Sequence, residues 1–332
     1  MARTTFLTGI SAILGTAIAI TGVPASAADF TFVLASLNPA KHLEYPVNMD
    51  FVDRVKKHSA GRIDFKVFVG GVLGDEREMV EQIQSGTIST ARLTAAALGS
   101  ICPGQMILNL PFLFGSGEHM VKSLRSDRFA ALCDTTLMKS GIRPLTYWWL
   151  GVRDLYTKKP VRSIEDVKGL KLRTWQDSFV VNAWKALDAI PTPISFSELY
   201  TSMQTGVVDG AEGWLASYNG RSFYEAAPYA TVIGYVNIAS TLVISDKTWK
   251  SLPADLQQAV KKAAAENGDF AFDYFKKNEG KVYGDAAKNA KELIRVKDIA
   301  KWQAATAPVI DQFGKKYGKK YVEFIDWVKS TR

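Results

Sequence analysis

DFTFVLAS, residues 29–36, alternates apolar and polar side chains with the period of two expected of a strand. A helix is expected from about Leu43 to His58. IDFKVFV, residues 63–69, then alternates again until Gly70-Gly71 breaks it. A second helix from Asp75 to Ser85 stops at Gly86. Strand and helix repeating in turn imply a largely parallel sheet with helices on its faces. The fold class is therefore α/β, and its first half occupies the chain up to about residue 150.

The same grammar continues along the chain. Asn109-Leu110-Pro111-Phe112-Leu113-Phe114 is an apolar run closed by Gly115 and belongs in a core. A second lobe begins near Trp149 to Arg153. Ser163 starts a helix with Asp166 three residues on, a short capping-box pattern. Leu170 to Arg173 reads as a strand and Asp177 to Leu187 as a helix. Pro191 and Pro193 keep Ile190 to Ile194 extended, and a helix follows at about Ser197. Val232 to Ile244 is an extended segment long enough to recross between lobes. Pro253 sits at a helix start, and Leu256 to Lys277 is amphipathic. Roughly the last 35 residues read as helical, with Trp302, Val309, Phe313, Tyr321, Phe324 and Trp327 facing inward. Residues 28–150 with about 241–280 are thus assigned to one lobe, 151–240 to the other, and 281–332 to helices packing on both.

The chain's N-terminus reads as an export signal. Arg3 is the only charged side chain before Asp29, Phe6 to Val23 is almost wholly apolar, and Ala25-Ser26-Ala27 offers a small-x-small cleavage site. Residues 1–27 are expected to be removed, leaving an exported, periplasmic protein. The alternative, an uncleaved anchor, has only about 18 apolar residues, the lower edge of a membrane span. The 332 residues suit two lobes better than one core. Forty-one basic and 33 acidic side chains give a formal charge of +8, but the charges are interspersed. Nucleic acid binding would need a concentrated basic stripe and is excluded. Cys102 and Cys133 either form a bridge or remain two buried thiols. No Gly-x-Ser-x-Gly elbow, Walker A loop, zinc pair or Cys-x-x-Cys occurs. His42, His58 and His119 are scattered. Neither an enzyme nor a metal or cofactor protein is indicated.

What remains is a constellation in the second half. Gly151-Val152-Arg153, Gly169-Leu170-Lys171-Leu172-Arg173 and ISFSELYTSMQTGVVDGAE (194–212) place two arginines at strand ends, 20 residues apart, ahead of a buried acid. A guanidinium offers paired donors that match both oxygens of a carboxylate and keeps its charge at any pH. Arg173 is the first candidate for that role; its alternative is a salt bridge with Asp166 or Asp177. Arg153 is the second, unless Asp154 or a structural bridge uses it.

This run resembles the signature of the solute-binding proteins of TRAP (tripartite ATP-independent periplasmic) transporters. Ser59-Ala60-Gly61-Arg62, Gly74-Asp75-Glu76, Gln84-Ser85-Gly86 and Leu110 to Phe114 resemble the family's first-lobe landmarks, and His42 fits a position where many members carry His. The resemblance implies a two-lobe periplasmic binding fold, each lobe a mixed sheet flanked by helices, with crossing hinge strands and a long linking helix. It implies a monomer that captures an organic acid and delivers it to small and large membrane subunits. It makes Arg173 the carboxylate clamp, Arg153 its neighbour, Phe196 an aromatic packing on the ligand, and Glu212 an acid that orients an arginine. Trp175 and Trp214 are expected as aromatic walls, and Thr94 and Ser36 as hydroxyl donors from the first lobe. Two positions depart from the family pattern. Gly213 stands where many relatives have a ligand-binding Asn, and Tyr235 where many have His. These departures imply a pocket more open near Gly213, more aromatic, and suited to a monocarboxylate. The same residues leave open a receptor for an ATP-driven importer, a sensor, or a periplasmic enzyme acting on carboxylic acids.

Overall fold

The computed structural model describes residues 1–2 and 28–332, so the expected signal segment falls outside the described residues apart from its first two positions. Nine strands form one continuous sheet: β1 Phe30–Ala35, β2 Ile63–Phe68, β3 Thr90–Thr94, β4 Ile142–Thr157, β5 Lys171–Thr174, β6 Ile190–Pro193, β7 Gly210–Trp214, β8 Tyr229–Ser245 and β9 Glu292–Arg295. The order is β2-β1-β3-β8-β4-β7-β5-β6, with β9 on β8. The short strands pair in parallel, β1 with β2 and β3, and β5 with β6 and β7. The long β4 and β8 are antiparallel to each other and to β7 and β3 respectively. The largely parallel sheet expected from the first repeats thus holds within each half, and the halves are joined by an antiparallel pair.

β4 and β8 are long because each serves both halves. Their register breaks between Pro144 and Thr146, Trp149 and Gly151, and Arg153 and Leu155. Bulges of this kind bend a strand and increase its twist. Gly151 sits at one of them with φ +139°, and a Cβ there would meet the Trp214 indole nitrogen at 2.7 Å. At the next, the Asp154 carboxylate takes the place of ladder carbonyls. It accepts 2.8 Å bonds from the Ile233 and Gly234 N–H groups and one from the Tyr283 hydroxyl.

Tyr283 belongs to a single helix, Ala254–Asn289, 36 residues long and therefore about 54 Å from end to end. It runs 12 residues past the amphipathic stretch read from the sequence, and the expected boundary at 280/281 falls inside it. Gly280 and Gly284 weaken the pattern there without ending the helix. Toward its start, Asn267 accepts from the Trp148 indole and donates to Val47 O and Asp50, tying the helix to β4 and to the first half.

Ser163 does cap with Asp166, but the element is one 3-10 turn, Ile164–Val167. In the final helices Trp302, Val309, Phe313, Tyr321 and Phe324 are buried as expected, whereas Trp327 is half-buried under the Arg128 guanidinium. Cys102 and Cys133 are joined in a disulfide, resolving the open alternative.

Candidate functional site

The carboxyl ends of the parallel strands of both halves meet at a cleft, the position at which open α/β sheets collect ligands. β5 supplies Arg173, and Trp175 follows one residue past its end. The connection after β6 supplies Phe196, and β7 supplies Glu212, Gly213 and Trp214. The facing wall comes from the first half: Leu37 and Asn38 after β1, Glu44 and Glu76 at helix starts, and Arg92 and Thr94 on β3. Together they line one cleft.

Arg173 is 1% exposed. Its Nε donates to the Ile194 carbonyl at 2.8 Å, while Trp175 and Phe196 flank the guanidinium at 4.8 and 5.4 Å. No carboxylate of the described residues lies within 4.0 Å of it. Asp166 bonds Arg162 and Ser163 N–H groups, and Asp177 caps its own helix and takes Asn109, so neither is its partner. Burial pushes the Arg173 pKa down from its ordinary value, the mark of a cation without enough compensation. Arg153 differs. Burial opposes its charge, but Glu212 at 2.9 Å, with Tyr235 and Tyr156 adding to it, more than offsets burial and its pKa is raised. Asp154, the alternative partner, faces the hinge instead.

Glu212 is fully buried and takes both the Arg153 Nη1 and the Tyr235 hydroxyl on one oxygen, leaving the other without a partner. Tyr235 itself also meets the Trp184 indole and packs in the core behind β7, so it supports Glu212 and does not line the cleft. Trp175 is stacked on Phe196 (6.1 Å, 8°) and touches both arginines, with Arg153 at 5.0 Å. Trp214 turns its edge to His42 and Phe275. Thr94 lines the cleft, but its hydroxyl is already given to Glu76. Ser36 is buried without a hydroxyl partner and is not among the lining residues.

Gly213 does not open the wall as the sequence suggested. A Cβ there would lie 2.5 Å from the Tyr156 hydroxyl, which fills the space a side chain would have taken.

Of the facing wall, sequence reasoning named only Thr94. Arg92 pairs with Glu44 and Glu76, Asn38 donates to Glu44, and burial pushes the Glu76 carboxyl up. The available signal was Arg92 itself, a lone charge in TARLT, a strand buried at every position. Arg221 adds a fourth guanidinium, 4.7 Å from the Phe196 ring, and its Nη2 donates to Leu37 O. That bond, Arg77 to Gln176 at 2.6 Å, and His42 to Ser217 at 3.2 Å bridge the halves around the cleft.

The family model for bacterial extracellular solute-binding proteins, family 7, matches residues 34–316. The chain belongs to this family, that of the TRAP solute-binding proteins. A curated family member from Sulfitobacter sp. (strain NAS-14.1), described as a solute-binding protein, is 32% identical over 80% of this chain and 81% of its own. Among solved TRAP periplasmic solute-binding proteins, one from Xanthobacter autotrophicus holding β-D-galacturonate superposes with a TM-score of 0.84. It is 28% identical, covering 91% of this chain and all of the other. One from Roseobacter denitrificans holding L-galactonate gives 0.83 at 27% identity, over 92% and 99%. The crossing strands and long helix described above are therefore the family's fold. No helix among the described residues is long and apolar enough to cross a membrane.

Proposed function

We propose that the chain is the exported capture subunit of a TRAP transporter and that its ligand is a sugar acid with one carboxylate. The observation that carries this reading is Arg173: buried, held by Ile194 and two aromatic rings, and without a carboxylate partner. Its two terminal nitrogens offer a carboxylate two charge-assisted hydrogen bonds, each contributing about 1.5–3 kcal/mol. Arg153 is compensated by Glu212 and positions that end of the cleft, so of the arginines lining the cleft Arg173 is the one without a carboxylate partner among the described residues.

The opposite wall supports the sugar part. Glu44, Glu76 and Asn38 present oxygens suited to hydroxyl donors, and Arg92 presents donors. Trp175, Phe196 and Trp214 supply apolar faces for the carbon skeleton. A dicarboxylate would set its second charge against the Glu44–Arg92–Glu76 cluster, whose one cation is already shared by two carboxyl groups. The uronate and aldonate found in the two solved relatives fit the same description. Capture proceeds by pairing with Arg173, then closure about the bulges of β4 and β8. The closed form, with residues 1–27 removed, is presented as a monomer to the small and large membrane subunits. No step requires a metal, a cofactor or turnover.

The test is titration calorimetry against D-galacturonate, L-galactonate, galactose, succinate and malate. The reading expects the sugar acids to bind and galactose, succinate and malate to fail. Tight succinate or malate binding without sugar-acid binding would overturn it. Recovery of a chemically altered ligand by mass spectrometry would favour the enzyme alternative, and genes for an ATP-driven permease beside this one would favour the importer.

A further inference from the structure

Tyr156 lies fully buried on β4, yet its hydroxyl has no hydrogen-bond partner among the described residues. Buried polar groups are nearly always satisfied, but the Ser36, Thr174 and Tyr218 hydroxyls are orphaned as well, so it is the position of Tyr156, not the orphan alone, that points to a ligand. Its place in the sheet says where that partner would be. Tyr156 pairs with Ala211 on β7, and Ala211 pairs with Arg173 on β5. The three side chains share one face in one row, and the alanine methyl is too small to separate the tyrosine from the arginine.

Gly213, two residues along the same face of β7, lines the cleft, and the hydroxyl stands 2.5 Å from where its Cβ would be. The φ of Gly213 is outside the left-handed region, so its backbone would accept any residue. Space, not conformation, requires glycine there. The ring is fixed, packed on Phe223 (5.6 Å, 22°) and Tyr218 (5.4 Å, 41°), so the hydroxyl cannot turn elsewhere for a partner. Burial raises its pKa, which keeps it a donor at neutral pH.

We infer that Tyr156 is a specificity-determining residue, whose hydroxyl donates a hydrogen bond to an oxygen of the bound acid beside the Arg173 pairing, across the gap left by Gly213. The inference rests on the sugar-acid reading for the ligand's class. An acid bearing an oxygen next to its carboxylate satisfies both groups at once, whereas an acid with a methylene there satisfies only Arg173.

The experiment compares wild type, Tyr156→Phe, Gly213→Ala and the double variant by calorimetry with D-galacturonate and L-galactonate, and by ligand-free thermal melting. Tyr156→Phe keeps the ring packing and removes only the orphan oxygen. Its ligand-free midpoint is expected to be unchanged or raised, while its Kd rises about tenfold. Gly213→Ala is expected to weaken binding too, and to cost less in the Tyr156→Phe background because it acts through the hydroxyl. Wild-type affinity in Tyr156→Phe would overturn the inference, as would a clearly lowered ligand-free midpoint, which would reveal a partner inside the protein. If wild type binds neither acid, the sugar-acid reading falls by itself. The melting comparison then still decides whether the hydroxyl is free.

Discussion

Replacing Arg173 with lysine keeps the charge and removes the fork. The arginine is oriented before any ligand arrives, because Nε is tied to Ile194 O at 2.8 Å and the plane is held between Trp175 and Phe196. Lysine presents a single ammonium, cannot hold Ile194 and point into the cleft together, and loses the flat stack on the rings. Losing about one of two charge-assisted hydrogen bonds, together with the stack on the rings, corresponds to a loss of about 1.4–4 kcal/mol, or tenfold to a thousandfold in Kd. Arg153→Lys provides the contrast. Arg153 already has Glu212 at 2.9 Å, so its replacement should register in thermal stability more than in affinity. Calorimetry and urea unfolding on both variants give the two readouts. Affinity in Arg173→Lys within threefold of wild type, with the fold intact, would refute the clamp.

Glu212→Ala leaves Arg153 buried without its anion and should lower unfolding free energy by about 3–5 kcal/mol, read by urea titration; a change below 1 kcal/mol would show that the pair is not structural. His42 is fully buried, its Nδ1 accepts from the Glu44 N–H, and burial pushes its pKa down to about 3. An unfolded histidine takes up a proton near pH 6.5 and the folded one does not. Stability is therefore whole above pH 6.5 and falls as pH drops toward 3, by up to about 1.4 kcal/mol per pH unit from this group. His42→Asn, whose side-chain oxygen can take over the Glu44 N–H, should flatten that decline between pH 6.5 and 4. An unchanged slope would mean that the ring is charged in the fold. Removing the Cys102–Cys133 bridge by a double alanine substitution should cost about 3–4 kcal/mol in the same assay; no change would show that the bridge contributes nothing measurable.

The first βαβα unit was legible almost residue by residue, because alternation, Gly70-Gly71 and the Gly86 cap are local signals. β4 was not. Its start at Ile142 carries Pro144, and its course is broken by three register shifts, so no single period runs through it. Arg173 and Trp175 could be picked out because they lie at the end of a short, well-marked strand, and Phe196 through the family resemblance. The facing wall escaped because Glu44, Glu76 and Arg92 are far apart in sequence and meet only through tertiary packing. Tyr156 escaped for a related reason. On β4 it reads as one more aromatic core residue, and only the cross-strand row through Ala211 reveals its neighbour. Gly213 could be read as an absence, but not as room for a hydroxyl from another strand.

The central claim is that one carboxylate sits on Arg173 while the sugar hydroxyls face Glu44, Glu76 and Arg92. A crystal structure of the protein with D-galacturonate or L-galactonate tests it most directly. The account predicts a carboxylate paired with both terminal nitrogens of Arg173 at about 2.7–2.9 Å, with the hydroxyl-bearing carbons between Trp175 and the first-half wall. A carboxylate seated on Arg92 or Arg221, with Arg173 free of the ligand, would contradict it.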